Sequence, residues 1–373
     1  MSAHTASPEK ILIIRLSAIG DILLATPLLR ALRQKHPQAK LDFVVKADFA
    51  GVLRHHPEID HLYELDPAGG WTELRSLGKH LQHEHYDVVL DVHKNFRSRY
   101  LAYAAKPRQV LRHRKHILRR WLFVKTKINF MHELPPIYRR YLAAAAPLGI
   151  MGTPALGSGP WLELFWSGKE EQEAERALVA NNWQPRVPLI GLAPGAGYFT
   201  KRWPPEYFGE LAAFFMRSGN QIVVLGGQQD AGLAKIVAKR VESAQNLSAD
   251  SDQKWGSLID LTGALSLLAS AAVIKRCQLL VANDSGLMHV AEAVGTPLIA
   301  IFGSTTWELG FFPQLATSRV VENRDLACRP CSHLGYRQCP RGHFRCMREI
   351  MPVEVLAQAE KMLSVLTVRF KAK

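Results

Sequence analysis

The chain of 373 residues is basic, with 47 Lys and Arg against 33 Asp and Glu, a net charge of +14. At 47% apolar and 21% charged residues it has the balance of a globular protein too long for one core, so two domains are expected; 26 Gly, 21 Pro and 5 Cys fit neither a collagen-like nor a disulfide-dense scaffold. The most apolar stretch, residues 11–29, is cut by Arg15 and Asp21, short of the roughly 18 uncharged residues of a spanning helix and unlike a signal peptide, so a cytosolic chain is expected.

Residues 11–14, Ile-Leu-Ile-Ile, read as a buried parallel strand that turns at Gly20 into a helical pattern reaching His36. Pro27 lacks a backbone donor, so Thr26-Pro27 predicts a short first turn, a kink and then the main helix. Strand signals recur at 41–45 and 87–90, with helices over 72–84 and 95–105. A Gly- and Pro-rich break at 152–160 and a second at 183–188 interrupt the pattern. Strands are then expected at 189–193, 221–225, 277–282 and 297–302, and helices at 205–217, 229–241, 265–276 and 287–294, with a polar loop at 243–256 and a terminal helix over 353–365. Alternating strands and helices predict doubly wound parallel sheets: one Rossmann-like domain over 9–185, a second over 186–350, and a terminal helix in 351–373.

Charge is concentrated. Residues 94–140 hold fourteen Lys and Arg against one acid, Glu133, which is +13 of the +14. Such a field suits a polyanion: nucleic acid, an anionic membrane or a phosphorylated substrate.

Three loops carry candidate chemistry. Ser17-Ala18-Ile19-Gly20-Asp21 sits where the first strand meets its helix, at the carboxyl edge where open α/β sheets bind ligands; Asp21 reads either as a site carboxylate or as a helix cap. Pro194-Gly195-Ala196-Gly197 leads through Lys201 to a helix, a run of small residues beside an ammonium that suits phosphate; it is neither a dinucleotide fingerprint nor a Walker A loop. Asn283-Asp284-Ser285-Gly286 opens a helix whose N-terminus suits a diphosphate, although Asp284 reads equally as its cap and His289 as a core histidine. With Gly303-Ser304-Thr305 this predicts loops converging on one sheet edge. Cys328, Cys331, Cys339 and Cys346 follow C-x2-C-x7-C-x6-C beside His333 and His343, which reads as a structural zinc site or as free or redox-active thiols; Cys277 reads as a buried strand residue.

Gly20-Asp21 with Thr26-Pro27-Leu28-Leu29, Pro194-Gly195, Lys201-Arg202-Trp203-Pro204, Gly226-Gly227, Leu261-Thr262-Gly263 and Asn283 to His289 together resemble glycosyltransferase family 9, the ADP-heptose:lipopolysaccharide heptosyltransferases, from about residue 11 to 312. The resemblance implies a GT-B fold, two Rossmann-like domains facing each other across a cleft, with acceptor on the first domain, nucleotide sugar on the second, and the last helix packing back toward the first. It implies inverting transfer of heptose from ADP-heptose to the inner core (Kdo or heptose) of lipopolysaccharide, with no metal or cofactor. On this pattern Asp21 is the general base and Lys201 a diphosphate ligand, while Gly195, Gly263, Asp284, Ser285, Gly286, His289 and Gly303 belong to the donor site. Gly20 and the basic Lys94, Arg97, Arg112, Arg114, Arg119 and Arg120 are then expected to meet an acceptor of the Kdo-lipid A type, with peripheral contact to an anionic membrane. Many relatives lack the cysteine cluster, which favours a structural role for it. Another nucleotide sugar is the near alternative; nucleic acid is not an expected partner, since the basic segment lacks an aromatic-interleaved binding signature.

Overall fold

The computed structural model describes residues 7–150, 152, 161–248 and 254–371, with side chains as far as 364. The chain divides into two compact units, Met1–His116 with Pro135–Phe165, and Ile117–Leu134 with Trp166–Lys373. Most of the Gly- and Pro-rich break, at 153–160, and residues 249–253 of the expected polar loop lie outside the described residues.

The first unit runs β1 (Lys10–Ile14), α1 (Ile19–Leu23), α2 (Thr26–Lys35), β2 (Lys40–Lys46), β3 (His61–Leu65), α3 (Gly70–His83), β4 (Val88–Asp91), α4 (Phe96–Ala104) and β5 (Gln109–Arg112). The chain then contributes α5 (Ile117–Thr126) to the second unit and returns with α6 (Ile137–Ala144). The strands pair in parallel in the order β3-β2-β1-β4-β5. β1 sits at the centre, and its run Ile11 to Ile14 is fully buried, because helices cover both faces of a parallel sheet. The expected break at Thr26-Pro27 is present: α1 ends at Leu23 and α2 restarts with Pro27 in its first turn, where no backbone donor is needed. α4 begins with a reciprocal cap in which Asn95 and Ser98 bond each other's backbone N–H.

The second unit continues with α7 (Gly168–Ala180), β6 (Leu189–Ala193), α8 (Pro205–Arg217), β7 (Gln221–Val224), α9 (Ala231–Asn246), β8 (Leu258–Asp260), α10 (Leu267–Arg276), β9 (Leu279–Asn283), α11 (Gly286–Val294), β10 (Leu298–Phe302), β11 (Ser318–Glu322), α12 (Arg345–Arg348) and α13 (Pro352–Lys371). Its sheet is again parallel, in the order β11-β10-β9-β6-β7-β8. α7, placed in the first domain by the sequence pattern, belongs to this unit: Arg276 at the end of α10 pairs with Glu171 and Glu175 at 2.8 and 2.5 Å. Val355, Ala359 and Met362 of α13 are buried in this unit's core, and the fully buried Trp203 donates its indole N–H to Ile350 O at 2.8 Å just before that helix. Side chains of the helix beyond 364, which the expected return toward the first domain would involve, lie outside the described ones. No helix among the described residues is long and apolar enough to cross a membrane.

Candidate active site

In the second unit the loops leaving β6, β9 and β10 meet at the carboxyl edge of the sheet. The fully buried Asn283 amide joins two of them, donating to Pro194 O (2.8 Å) and accepting from the Trp203 N–H (3.0 Å). The third is joined through Thr200, whose hydroxyl donates to Ser304 Oγ at 3.1 Å and whose carbonyl accepts from the Ser304 N–H at 3.3 Å. Lys201 Nζ lies 2.7 Å from Asp284 Oδ2, and the same oxygen accepts from the Thr305 hydroxyl at 2.7 Å. Asp284 is thus held between two loops and does not cap α11, which has no side-chain cap.

Around this edge three buried hydroxyls, Thr262 on the loop after β8, Ser285 at the start of α11 and Thr306 after β10, have no hydrogen-bond partner in the structure. Buried donors are rarely left so, and with the unpaired N–H groups of α11 from Gly286 onward they form a set suited to an anionic, hydroxyl-bearing ligand. Gly263 holds φ +75 and donates its N–H to Gly226 O (2.9 Å), a conformation glycine tolerates without strain. A Cβ at Gly195 would overlap the Asp230 carboxylate, which burial pushes to a raised pKa. His289 is buried with Nδ1 3.1 Å from Glu292, the arrangement of a core histidine.

In the first unit Asp21 occupies the first turn of α1, and it too caps nothing, because no side-chain cap bond is formed there. Its Oδ2 lies 2.6 Å from Arg15 Nη2, and its Oδ1 accepts from the Tyr141 hydroxyl at 3.2 Å. Arg15 is fixed in turn by donating to Val92 O at 3.0 Å. Burial pushes the Tyr141 phenol well above its ordinary pKa, so it stays a donor. Beside them His93 and His113 are pushed down to about 3, first by burial and then by the positive fields of Arg15 and Lys115. Both imidazoles are neutral within a cationic surround, to which Lys46, Lys94 and Arg140 also contribute.

The basic candidates are divided between the two units. Lys94 lies after β4 with Nζ 3.4 Å from His113 O, and Arg112 ends β5 with its guanidinium 5.0 Å from the Tyr103 ring centroid. Arg97 and Arg114 are exposed in the first unit, whereas Arg119 and Arg120 ride on α5 in the second, with Arg120 half-buried and its pKa lowered by burial. Gly20 falls inside α1.

Of the two sequence readings of the cysteine loop the structure has the free thiols, and it gives the loop a supporting part besides. All five cysteines are free thiols, and among the described residues no three His, Cys, Asp or Glu side chains stand where they hold a metal. Burial pushes Cys331 up and Cys346 up to about 12, which keeps both as thiols rather than reactive thiolates. The loop buttresses the second unit's carboxyl edge: the Cys331 N–H donates to Ser304 O at 3.2 Å and the Tyr336 N–H to Thr200 Oγ1 at 2.8 Å. In the same loop the buried Arg329 donates to the carbonyls of Gly303, Thr305 and Asn323 and pairs with Glu322 at 2.7 Å. Gly303 accordingly takes part through its carbonyl. Arg15, Tyr141 and Arg329 are not among the site residues the sequence singles out, and Thr305 enters only within the run Gly303-Ser304-Thr305; of the first three only Arg15 carries a signal, as a charge inside an apolar run.

The sequence model of glycosyltransferase family 9 (heptosyltransferase) matches residues 74–340. The chain is 28% identical over 370 residues to lipopolysaccharide heptosyltransferase 2 of Salmonella typhimurium, covering 95% of this chain and 99% of that protein. Among solved structures it is similar to a family 9 glycosyltransferase of Veillonella parvula (TM-score 0.77, 25% identity, 95% of this chain and 97% of that one). It is similar also to E. coli ADP-heptose lps heptosyltransferase II (TM-score 0.71, 25% identity, 96% and 99%). The two parallel-sheet units are those of the GT-B fold, and the chain belongs to glycosyltransferase family 9, the heptosyltransferases.

Proposed function

We propose that this enzyme transfers heptose from ADP-heptose to the inner core of lipopolysaccharide, onto Kdo or a first heptose, with inversion at the anomeric carbon. The observation that carries the reading is that each unit, taken by itself, holds a different kind of sheet edge. One holds a carboxylate, Asp21, between Arg15 and Tyr141 amid cationic groups. The other holds unpartnered buried hydroxyls beside the α11 N-terminus and Lys201.

In the proposed step the acceptor hydroxyl oxygen attacks the anomeric carbon as the bond from that carbon to the diphosphate oxygen breaks. Asp21 takes the hydroxyl proton, and ADP leaves with the bonding pair. Lys201 and the N–H groups of α11 stabilise the charge that develops on the diphosphate, so the step requires no metal ion. Arg15 and Tyr141 orient the Asp21 oxygens. Lys94, Arg97, Arg112 and Arg114 attract the carboxylates and phosphates of the acceptor, and Arg119 and Arg120 do so from α5. The acceptor is made at a membrane, and peripheral contact with an anionic bilayer from the cytoplasmic side belongs to the same proposal.

Turnover measured with ADP-heptose against a panel of truncated core acceptors tests the reading. Transfer to one Kdo- or heptose-terminated acceptor is expected; turnover only with a different nucleotide sugar overturns it.

A further inference from the structure

α5 turns three of its six apolar residues outward. Ile117, Leu118 and Trp121 are 60%, 68% and 55% exposed, while Phe123 is the helix's one buried residue. At about 100° per residue, Ile117, Trp121, Lys125 and Leu118 share one quarter to one third of the circumference. The ridge continues past the helix in the exposed Ile128 and Phe130. The segment is anchored from behind: Lys127 Nζ donates to Pro330 O at 2.6 Å, and Asn129 donates to Glu308 at 3.0 Å. Scattered exposed apolar residues need no explanation, but a tryptophan-centred ridge on a fixed helix does.

We infer that α5 is a membrane-docking helix, its Ile117, Leu118 and Trp121 entering the headgroup boundary of an anionic bilayer while Lys125, on the same side, meets the phosphates. This deepens the membrane contact in the proposed function by naming the element that makes it. Charge decides the occupant. From residue 92 to 132 the sequence holds no Asp or Glu, so a second copy of this face would meet like charge, whereas an anionic surface complements it. Basic residues flanking an exposed Trp and aliphatic ridge are the composition of helices that lie in an interface.

The test uses the full chain and vesicles without acceptor, so its failure leaves sugar transfer untouched. Wild type is expected to sediment with phosphatidylcholine vesicles containing phosphatidylglycerol, and hardly with phosphatidylcholine alone. It should keep part of that binding in high salt, because apolar insertion is not screened. The triple variant Ile117→Ser/Leu118→Ser/Trp121→Ser should bind roughly tenfold or more weakly and lose all binding in salt, with ADP affinity unchanged as the check on folding. If the triple variant misfolds, Trp121→Phe carries the test: tryptophan quenching by brominated lipid should fall relative to wild type. Equal partition of wild type and triple variant, or unchanged quenching in Trp121→Phe, overturns the inference. So does a wild-type dimer that the triple variant dissolves, since the ridge would then join two copies.

Discussion

Lys201 Nζ and Asp284 Oδ2 lie 2.7 Å apart, both largely buried, with the Thr305 hydroxyl on the same carboxylate oxygen. The ammonium is therefore already fixed in place, and on the proposed reading little side-chain freedom remains to be lost when a diphosphate binds. Lys201→Ala should weaken ADP binding by about tenfold or more, the range for one charge-assisted hydrogen bond. Calorimetry with ADP checks this, alongside the acceptor KM. An equal loss on both would mean a general disturbance of the fold.

Asp21→Asn keeps the shape of the carboxylate but not its ability to take a proton. The turnover number should drop by about 10² or more with ADP affinity unchanged. Tyr141→Phe removes one bond to Asp21 and should give a smaller fall in the same constant. Steady-state kinetics of the two variants rank the roles, and a Tyr141→Phe enzyme slower than Asp21→Asn would reverse them.

His93 and His113 have a pH consequence. Their pKa values are about 3 in the folded chain, against roughly 6.5 unfolded. Between those limits the unfolded chain binds more protons, so the two residues make stability fall as pH drops from about 6.5 toward 3. His113→Asn should flatten part of that dependence. Melting temperatures at pH 7 and pH 5 measure it: the gap should be smaller in the variant, and identical gaps would remove His113 as a contributor.

Arg329 and Glu322 form a buried pair, each side chain 4% exposed. Removing the arginine leaves the Glu322 carboxylate with Arg324 alone and takes the donor from the carbonyls of Gly303, Thr305 and Asn323, so Arg329→Met should cost about 3 kcal/mol or more. Glu322→Gln leaves the carbonyl contacts in place and should cost less. Urea denaturation separates the two, and equal losses would assign the stability to the ion pair alone.

The sequence reveals the central strands well and the edges poorly. Both faces of β1, β6, β9 and β10 are covered, so these strands read as unbroken apolar runs. His61–Leu65 and Gln109–Arg112 are edge strands that mix polar and apolar residues without a clean period, and neither is predicted. α5 breaks the rule that apolar stripes face inward, which hides it from a periodicity argument. At the site, loops that follow strongly patterned strands are legible, and so are Asp21, Lys201 and Asp284. Arg329 is not, because all its partners but Glu322 are backbone carbonyls, and a carbonyl leaves no mark in a sequence. The cysteine spacing reads as a zinc site or as free thiols, and the structure has free thiols in a loop that buttresses the sheet edge.

The excursion Ile117–Leu134 has a consequence for how the chain is made and cut. Its tethers, Glu308 and Pro330, lie 179 and 203 positions downstream of Asn129 and Lys127. During synthesis the outward-facing Ile117, Leu118 and Trp121 leave the ribosome long before anything exists to fasten them, a window in which they are open to chaperones or to aggregation. For the same reason no single scission yields both units whole. A fragment stopping at Phe165 carries this segment without its anchors, and one beginning at Trp166 lacks it altogether.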